Sequence, residues 1–509
     1  MDHPIHFDVI VIGAGPAGLS IASELSKHLK VAVVDRKGHA SHCTKSWFVP
    51  GIAVHDNKDI QPFLTPGVKR FITNTFAGPE MAWNAKLKYG YWFVKEHELL
   101  DHWASIIESS GRSKGNGNGS RLFLGHNFQS HSVNSGGVHV RLLKVSTDVE
   151  VHLQARLLID ASGSDSQLLK EYQLDAHPYW WSVYGWINRH KSLPRDMKVG
   201  DYLLWGTFGD SNPNLQATLA QGRPVMEYEI LDDHHSFPMV LYLRKTRVDL
   251  ETMKNEFEHI IKHEELGKPF RGEKIEERKW GWYPSGGLIQ SFARDRVAFV
   301  GDAGGWATPC GWGMGFILTN YKKYAANIVT AVRADTLDEH MLASFSHMAL
   351  HERNEVLVDQ VAAHFLSQAT PQQIDRFIDF WNVEGMKFLY CEKLFTLTIT
   401  EREVEYVVGT LMKHFDIREL ASVFPREDYP LLVRMLLVFA EAAAWHKISW
   451  LSKDLAYHVA KLLGRKVHKH PPEADVFENG FDFMDYKKVL AKGRRTRFLS
   501  RLSKRGRRG

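Results

Sequence analysis

The chain opens on an apolar run, Asp8 to Ile12, set directly against a cluster of small residues. Ala17 to Leu29 alternates small and apolar residues at a helical period, and a second β-type run, Val31 to Val34, closes on Asp35. Neither run alternates with polar residues, so both predict strands buried on two faces, and the three pieces together predict one βαβ unit. Glu98 to Ile107 reads as a helix, Glu108 to Ser120 as a flexible glycine- and serine-rich loop, and Leu122 to Leu158 as a region of strands. Strand-like segments recur at Trp181–Ile187, Tyr202–Phe208, Val225–Leu231 and Met239–Leu243, which predicts an antiparallel sheet of its own. A helix over Leu250–Lys262 leads back to a strand at Arg296–Val300. From Phe316 onward helical periodicity dominates, as in Glu355–Phe365 and Ile374–Phe380. No internal repeat interrupts this order.

Composition narrows the class. At 509 residues, with 44% hydrophobic and 24% charged residues, the chain is long enough for two or three domains, and disordered, collagenous and disulfide-framework proteins are excluded. Cys43, Cys310 and Cys391 are the three cysteines, none in a metal-binding pattern, and a reducing compartment is expected. The amino terminus enters a strand at once, without room for a secretory signal, and a cytoplasmic location, with possible peripheral membrane contact, is the expectation. The apolar stretch Leu431 to Trp445, broken by Arg434 and Glu441, is too short to span a bilayer. The net charge of +5 conceals an asymmetry: Lys487 to Gly509 holds four lysines, seven arginines and no acid, so the remaining 486 residues carry −6. An anionic membrane surface is a candidate partner for that tail, whereas nucleic acid is not expected.

Gly13-Ala14-Gly15-Pro16-Ala17-Gly18 fits the pattern G-x-G-x-x-G between the first strand and the first helix. The first glycine makes the tight turn, the second admits a pyrophosphate, and the third lets helix and strand pack. The helix start then offers free N–H groups and the positive end of its dipole to phosphate. Asp35, 22 residues beyond Gly13 and followed by Arg36, stands where a carboxylate accepts ribose hydroxyl bonds. The fold class expected is therefore α/β: a Rossmann-like dinucleotide-binding domain, an antiparallel β-sheet substrate domain, and an α-helical carboxy-terminal region.

FAD and NAD share that fingerprint, and two further segments favour FAD. Arg296 to Gly305 is a strand ending in Gly301-Asp302, and it resembles the second FAD motif of glutathione-reductase-type flavoproteins, whose aspartate holds a ribityl hydroxyl. Asp160-Ala161-Ser162-Gly163 resembles the third landmark of that fold. Beyond Asp302, Gly311, Gly313, Met314 and Gly315 begin an apolar helix aimed at the pyrimidine edge of a flavin ring. On this reading residues 1–100, 101–175 and 276–330 are three parts of the FAD-binding domain. Residues 176–275 are the substrate domain, 331–486 a helical region and 487–509 a basic tail.

The chain resembles most the lycopene cyclase and geranylgeranyl reductase group. Lys88-Tyr89-Gly90-Tyr91-Trp92-Phe93-Val94-Lys95 and Trp181-Ser182-Val183-Tyr184-Gly185 are similar to segments of those proteins. The resemblance implies a bulky apolar isoprenoid, polyene or aromatic substrate, held beside FAD that an external reductant supplies with electrons. One departure stands out: plant-type lycopene β-cyclases carry two acids where Tyr242-Leu243-Arg244-Lys245-Thr246 has two bases. Glu227 and Glu229, on one face of a neighbouring strand, could supply a displaced acid, although exposed strand carboxylates are the simpler expectation. Cys43, eight residues past Asp35, stands where archaeal geranylgeranyl reductases have a cysteine, and so could donate a proton.

Two other activities share the fold. Trp280-Gly281-Trp282-Tyr283-Pro284 is similar to the W-x-W-x-I-P stretch of flavin-dependent halogenases, which would make Lys86 or Lys88 the candidate lysine of a monooxygenase or halogenase. A non-catalytic prenyl or lipid carrier is the third reading. Fifteen tryptophans, many in the expected substrate domain, suit an apolar or flat ligand as well as plain core packing.

Overall fold

The computed structural model describes residues 4–54, 57–75, 78–112, 119–174, 179–193, 197–205, 224–285, 293–306 and 313–346, with isolated positions beyond them. In chain order the elements are β1 (Ile5–His6), β2 (Val9–Ile12), α1 (Pro16–Leu25), β3 (Val31–Asp35), β4 (Phe48–Pro50), α2 (Gly51–Val54), β5 (Leu64–Thr75), β6 (Gly78–Val94) and α3 (Glu96–Arg112). There follow β7 (Arg121–Leu124), β8 (His126–Asn134), β9 (Gly137–Lys144), β10 (Glu150–Ala155), β11 (Leu157–Asp160), α4 (Gln167–Glu171), β12 (Tyr179–Arg189), β13 (Asp201–Trp205), β14 (Val225–Ile230) and β15 (His235–Arg244). The last are α5 (Leu250–His263), β16 (Lys274–Ser285), β17 (Ala293–Arg294), β18 (Val297–Phe299), α6 (Gly313–Ala334) and α7 (Glu339–Ser346).

A six-stranded sheet has the order β17-β18-β11-β2-β3-β7, parallel throughout except for β17 at one edge. The first strand of the unit, β2, lies in the middle, with β3 and β7 to one side and β11 and β18 to the other. The chain thus reverses direction across the sheet between β2 and β11, which opens a crevice at the carboxyl ends of the strands. Both faces of β2 are buried, as its unbroken apolar run predicts. Val9 and Val11 pack with α1, α3 and α6 through Leu19, Leu99 and Tyr321. Ile10 and Ile12 face the other way, against Val140, Leu142 and Leu153 of a four-stranded sheet ordered β1-β10-β9-β8.

An eight-stranded sheet, β16-β12-β15-β14-β13-β5-β6-β4, is antiparallel except where β13 pairs with β5. Its long β5–β6 hairpin was not anticipated from the hydrophobic pattern, and it draws Leu64–Thr75 and Gly78–Val94, expected within the first part of the dinucleotide-binding domain, into this sheet. The central strands alternate strictly. Tyr184, Trp186, Met226, Tyr228, Val240 and Tyr242 form one face and pack on Met253, Phe257 and Ile260 of α5. Asp249 caps that helix by accepting from the Thr252 N–H at 2.8 Å. The other face presents Trp181, Val225, Phe237, Met239 and Leu241.

The chain divides into two compact units, residues 1–399 with 403–439, and residues 400–402 with 440–509. All the elements above belong to the first. The segments Glu355–Phe365 and Ile374–Phe380, apart from Ala363, and the basic tail Lys487–Gly509 lie outside the described residues. No helix among the described residues is long and apolar enough to cross a membrane.

Candidate functional site

The crevice at the carboxyl ends of the parallel strands continues into a cavity of about 830 Å³ that reaches the apolar face of the eight-stranded sheet. Gly13, Gly15, Ala17, Asp35 and Arg36 line one end, Gly301, Asp302, Gly313 and Met314 the middle, and Trp181, Val225, Glu227 and Met239 the other end.

The three fingerprint glycines have three separate reasons to lack a side chain. Gly13 sits at φ 105°, and a Cβ there would lie 2.3 Å from the Ala161 carbonyl oxygen. A Cβ on Gly18 would lie 1.9 Å from the Gly13 carbonyl oxygen, so helix and turn could not close. At Gly15 a Cβ would meet nothing within 4 Å, because that position faces the open crevice. Gly15 is also the N-cap of α1 and provides no side chain to cap it, with Pro16 following, so the first N–H groups of a ten-residue helix stay available to an anion. Asp35 accepts from the Ala14 N–H at 2.6 Å and from the Lys37 N–H at 2.9 Å, which fixes its carboxylate at the end of β3 facing the crevice. This cradle fits a dinucleotide: phosphates on the start of α1, ribose on Asp35, and Asp302 near the Lys45 ammonium, 3.9 Å away.

Asp160 has another task. It is fully buried and accepts from the Ser162 N–H at 2.9 Å, the Ser162 hydroxyl at 2.6 Å and the Ser166 hydroxyl. Burial pushes its carboxyl up from the ordinary range, against these three bonds. Asp160 therefore shapes the loop beside Gly13 through its hydrogen bonds to that loop.

Of the candidate catalytic residues, the structure brings Cys43 and Glu227 into the same cavity. Cys43 is half-buried, its thiol 3.3 Å from the Lys45 carbonyl oxygen, and burial raises its pKa, which keeps it a thiol. Lys88 lies on β6, and its side chain is outside the described residues, as is that of Lys86; Gly311 is outside them altogether. Gly315, in the first turn of α6, lies against β4, where a Cβ would lie 3.3 Å from Pro50.

The expectation that Glu227 and Glu229 are exposed is overturned. Glu229 is completely buried and Glu227 half-buried, because β14 is an inner strand whose two faces are both covered. Glu227 hydrogen-bonds with Tyr202, and burial raises its pKa to about 7. Glu229 is raised well above the ordinary carboxylate range, first by burial and then by the proximity of Glu227. The bases at the cyclase-like stretch lie elsewhere: Arg244 stacks over Tyr242, 5.1 Å from its ring centre, at the end of β15.

Several residues of this site carry no sequence signal. Tyr202 reaches Glu227 from the adjacent strand, and only the β13–β14 register reveals it. Lys45 crosses Gly281, where a Cβ would lie 3.0 Å from its stem, and its ammonium donates to the Trp282 carbonyl oxygen at 3.0 Å. Lys279, almost fully buried in the cavity wall, pairs with Glu96 at 2.6 Å and Glu277 at 2.7 Å. The tryptophans divide. Trp47, Trp181 and Trp280 line the cavity, whereas Trp186 belongs to the α5 side and Trp306 packs between Phe316 and Tyr324. Trp282 Nε1 donates to the Val248 carbonyl oxygen at 2.7 Å, so that ring serves the packing behind the sheet. Trp312 and the side chain of Trp205 lie outside the described residues.

Known proteins agree with this architecture. No curated protein matches the chain in sequence. Among solved structures, a geranylgeranyl bacteriochlorophyll reductase-like protein from Thermoplasma acidophilum superposes with a TM-score of 0.61 at 14% identity, covering 83% of this chain and 100% of that one. The halogenase PltM gives 0.55 at 14% identity over 86% of this chain and 96% of its own. The flavin-dependent monooxygenase PieE, solved with FAD and substrate, gives 0.51 at 16% identity over 80% and 73%. At these identities the likeness is one of fold. In sequence, residues 8–127 match the family model described as FAD dependent oxidoreductase. This part of the chain, which holds the glycine turn, the helix start and Asp35, is thus similar in sequence to the FAD dependent oxidoreductase family.

Proposed function

We propose that the protein is an FAD-dependent oxidoreductase acting on a bulky apolar substrate, isoprenoid, polyene or aromatic, in which Glu227 gives or takes a proton. The observation that carries this reading is the continuity of the dinucleotide crevice with a cavity walled by Trp181, Val225, Phe237, Met239 and Leu241 and holding one half-buried carboxyl. The flavin, when bound, supplies two-electron exchange with the substrate. The chain's own residues do the rest. The apolar sheet face binds and orients the substrate and keeps water from it. Glu227, poised at about 7 and held by Tyr202, is near the pKa at which a carboxyl works best as acid or base at neutral pH. Cys43, kept as a thiol by burial, is a second proton donor at the opposite side of the cavity. The test is to load the purified chain with FAD and titrate it with a long alkene or alcohol while recording the flavin absorbance. Saturable perturbation of the flavin band is expected, and its loss in a Met239→Glu variant that still binds FAD. An unperturbed spectrum over the solubility range of several such ligands would overturn the reading.

A further inference from the structure

Behind the Glu227 wall of the apolar cavity stands one feature that an apolar ligand does not require, a second carboxyl, that of Glu229. In register across β13, β14 and β15, Glu229 stands between Tyr202 and Phe237, both of which line the cavity. Its carboxyl is thus on the cavity side of the sheet, completely buried, and neither oxygen has a hydrogen-bond partner. Glu227, two residues earlier on the same face, has Tyr202. Neither makes an ion pair with a described residue. Of the four lysines that line the cavity, Lys279 is held by Glu96 and Glu277, Lys45 by the Trp282 carbonyl and Asp302, and Lys37 by the Ala40 carbonyl, while Lys170 lies on α4.

A buried acceptor without a donor is unfavourable by roughly 1–3 kcal/mol and more when charged. Glu229 is such a group, and Glu227 beside it has only the neutral Tyr202 hydroxyl, so both lack a donor that carries positive charge. We propose that the Glu227–Glu229 pair is the head-group site for a cationic amine carried on an apolar frame, an inference that rests on the apolar cavity proposed above. An ammonium has three N–H donors, enough to bridge both carboxyls, and Tyr202, Phe237 and Met239 stand beside the pair on the adjoining strands with ring and alkyl surface. Binding would ionise Glu227 alone, its proton passing to solvent, while Glu229 keeps its proton and accepts from the ammonium through its carbonyl oxygen, so that one positive charge meets one negative charge.

The groups that govern the pH dependence are few. Tyr202 stands opposite Glu229 on β13 and hydrogen-bonds diagonally to Glu227, and Glu229 shares the strand of Glu227, while β15 presents Met239 and Phe237, neither of which titrates. The remainder of the cavity wall carries Lys45, Lys279, Cys43, Asp35 and Asp302, with Arg36, Lys37, His42, His126, Asp160, Asp165, Lys170 and Tyr283.

The experiment is calorimetric titration of the FAD-loaded chain with decylamine and, separately, with 1-decanol, at pH 6 and pH 8. Decylamine should bind roughly tenfold more tightly at pH 8, because the ionised fraction of a group titrating at about 7 rises about tenfold over that interval. Decanol should show no such change, and Glu227→Gln should abolish the slope for the amine. Glu229→Leu, which removes the acceptor oxygen, should weaken the amine at both pH values and leave decanol alone. An amine that binds no better than the alcohol at pH 8, or whose pH slope survives in Glu227→Gln, would overturn the head-group site while leaving the apolar cavity intact. Failure of both ligands to bind would remove the cavity reading as well.

Discussion

Replacing Glu227 by glutamine should make the protein more stable above neutral pH and leave it unchanged in mild acid. The carboxyl titrates at about 7 in the folded chain against 4.5 for a free glutamate, because burial disfavours its charged form more than the Tyr202 hydroxyl favours it. A raised carboxyl pKa favours folding only while the group is protonated. Its contribution is fully present below 4.5 and is lost as the pH rises through about 7. The gap between the two values corresponds to about 3 kcal/mol. Glutamine keeps the shape and still accepts from Tyr202, but it has no proton to lose. Urea unfolding of the flavin-free chain and of Glu227→Gln should therefore give equal stabilities only below pH 4.5. By pH 8.5 the variant should lead by about 3 kcal/mol, with Glu229 present in both proteins and cancelling to first order. Parallel pH profiles for the two proteins would refute the reasoning, since they would mean that Glu227 is solvated and titrates as a free glutamate does.

The glycine geometry makes a paired prediction: Gly15→Val should retain the melting temperature of the flavin-free chain but purify without flavin colour, whereas Gly18→Ala, with its Cβ 1.9 Å from a backbone oxygen, should lower stability whether or not FAD is added. Lys279→Met leaves Glu96 buried without its cation and should destabilise the chain by about 3–5 kcal/mol, a loss that Lys279→Met/Glu96→Gln partly restores in denaturant melts. The Cys43 thiol, raised by burial above its ordinary 9.0, should be alkylated slowly by iodoacetamide at pH 7.5, with the rate still climbing beyond pH 9 when its peptide is followed by mass spectrometry.

Much of the dinucleotide half could be read from the sequence because its physics is local. An apolar strand, three glycines at fixed offsets and an acid at the end of the next strand are neighbours in the chain, and Gly13, Gly15, Gly18 and Asp35 each occupy the place their spacing implied. The substrate half depends on register. Val225-Met226-Glu227-Tyr228-Glu229-Ile230 alternates apolar and acidic residues on one side of the strand, and such a pattern predicts a face open to water. What the pattern omits is that β14 lies inside an eight-stranded sheet with α5 behind it and a cavity in front. Tyr202, Lys45 and Lys279 were unreadable for the same reason: each reaches the site from a strand or loop whose partner is set by pairing at long range.

That misreading has a functional consequence. An exposed pair of strand carboxylates would be worth little, and replacing it would change nothing. The same pair buried on an inner strand lowers stability at neutral pH, and β14 could hold apolar residues at 227 and 229 as readily as it holds Val225. Packing gives no reason for the acids, since Met226 and Tyr228 on the opposite face supply the contact with α5 that fixes the strand. Strongly raised carboxyls in a cavity, without the ion pairs that a structural network would show, are the pattern expected where charge is needed only once a ligand arrives. The stability gained by Glu227→Gln at pH 8.5 and the amine affinity lost by the same substitution should therefore go together, because both measure the ionisation of one carboxyl.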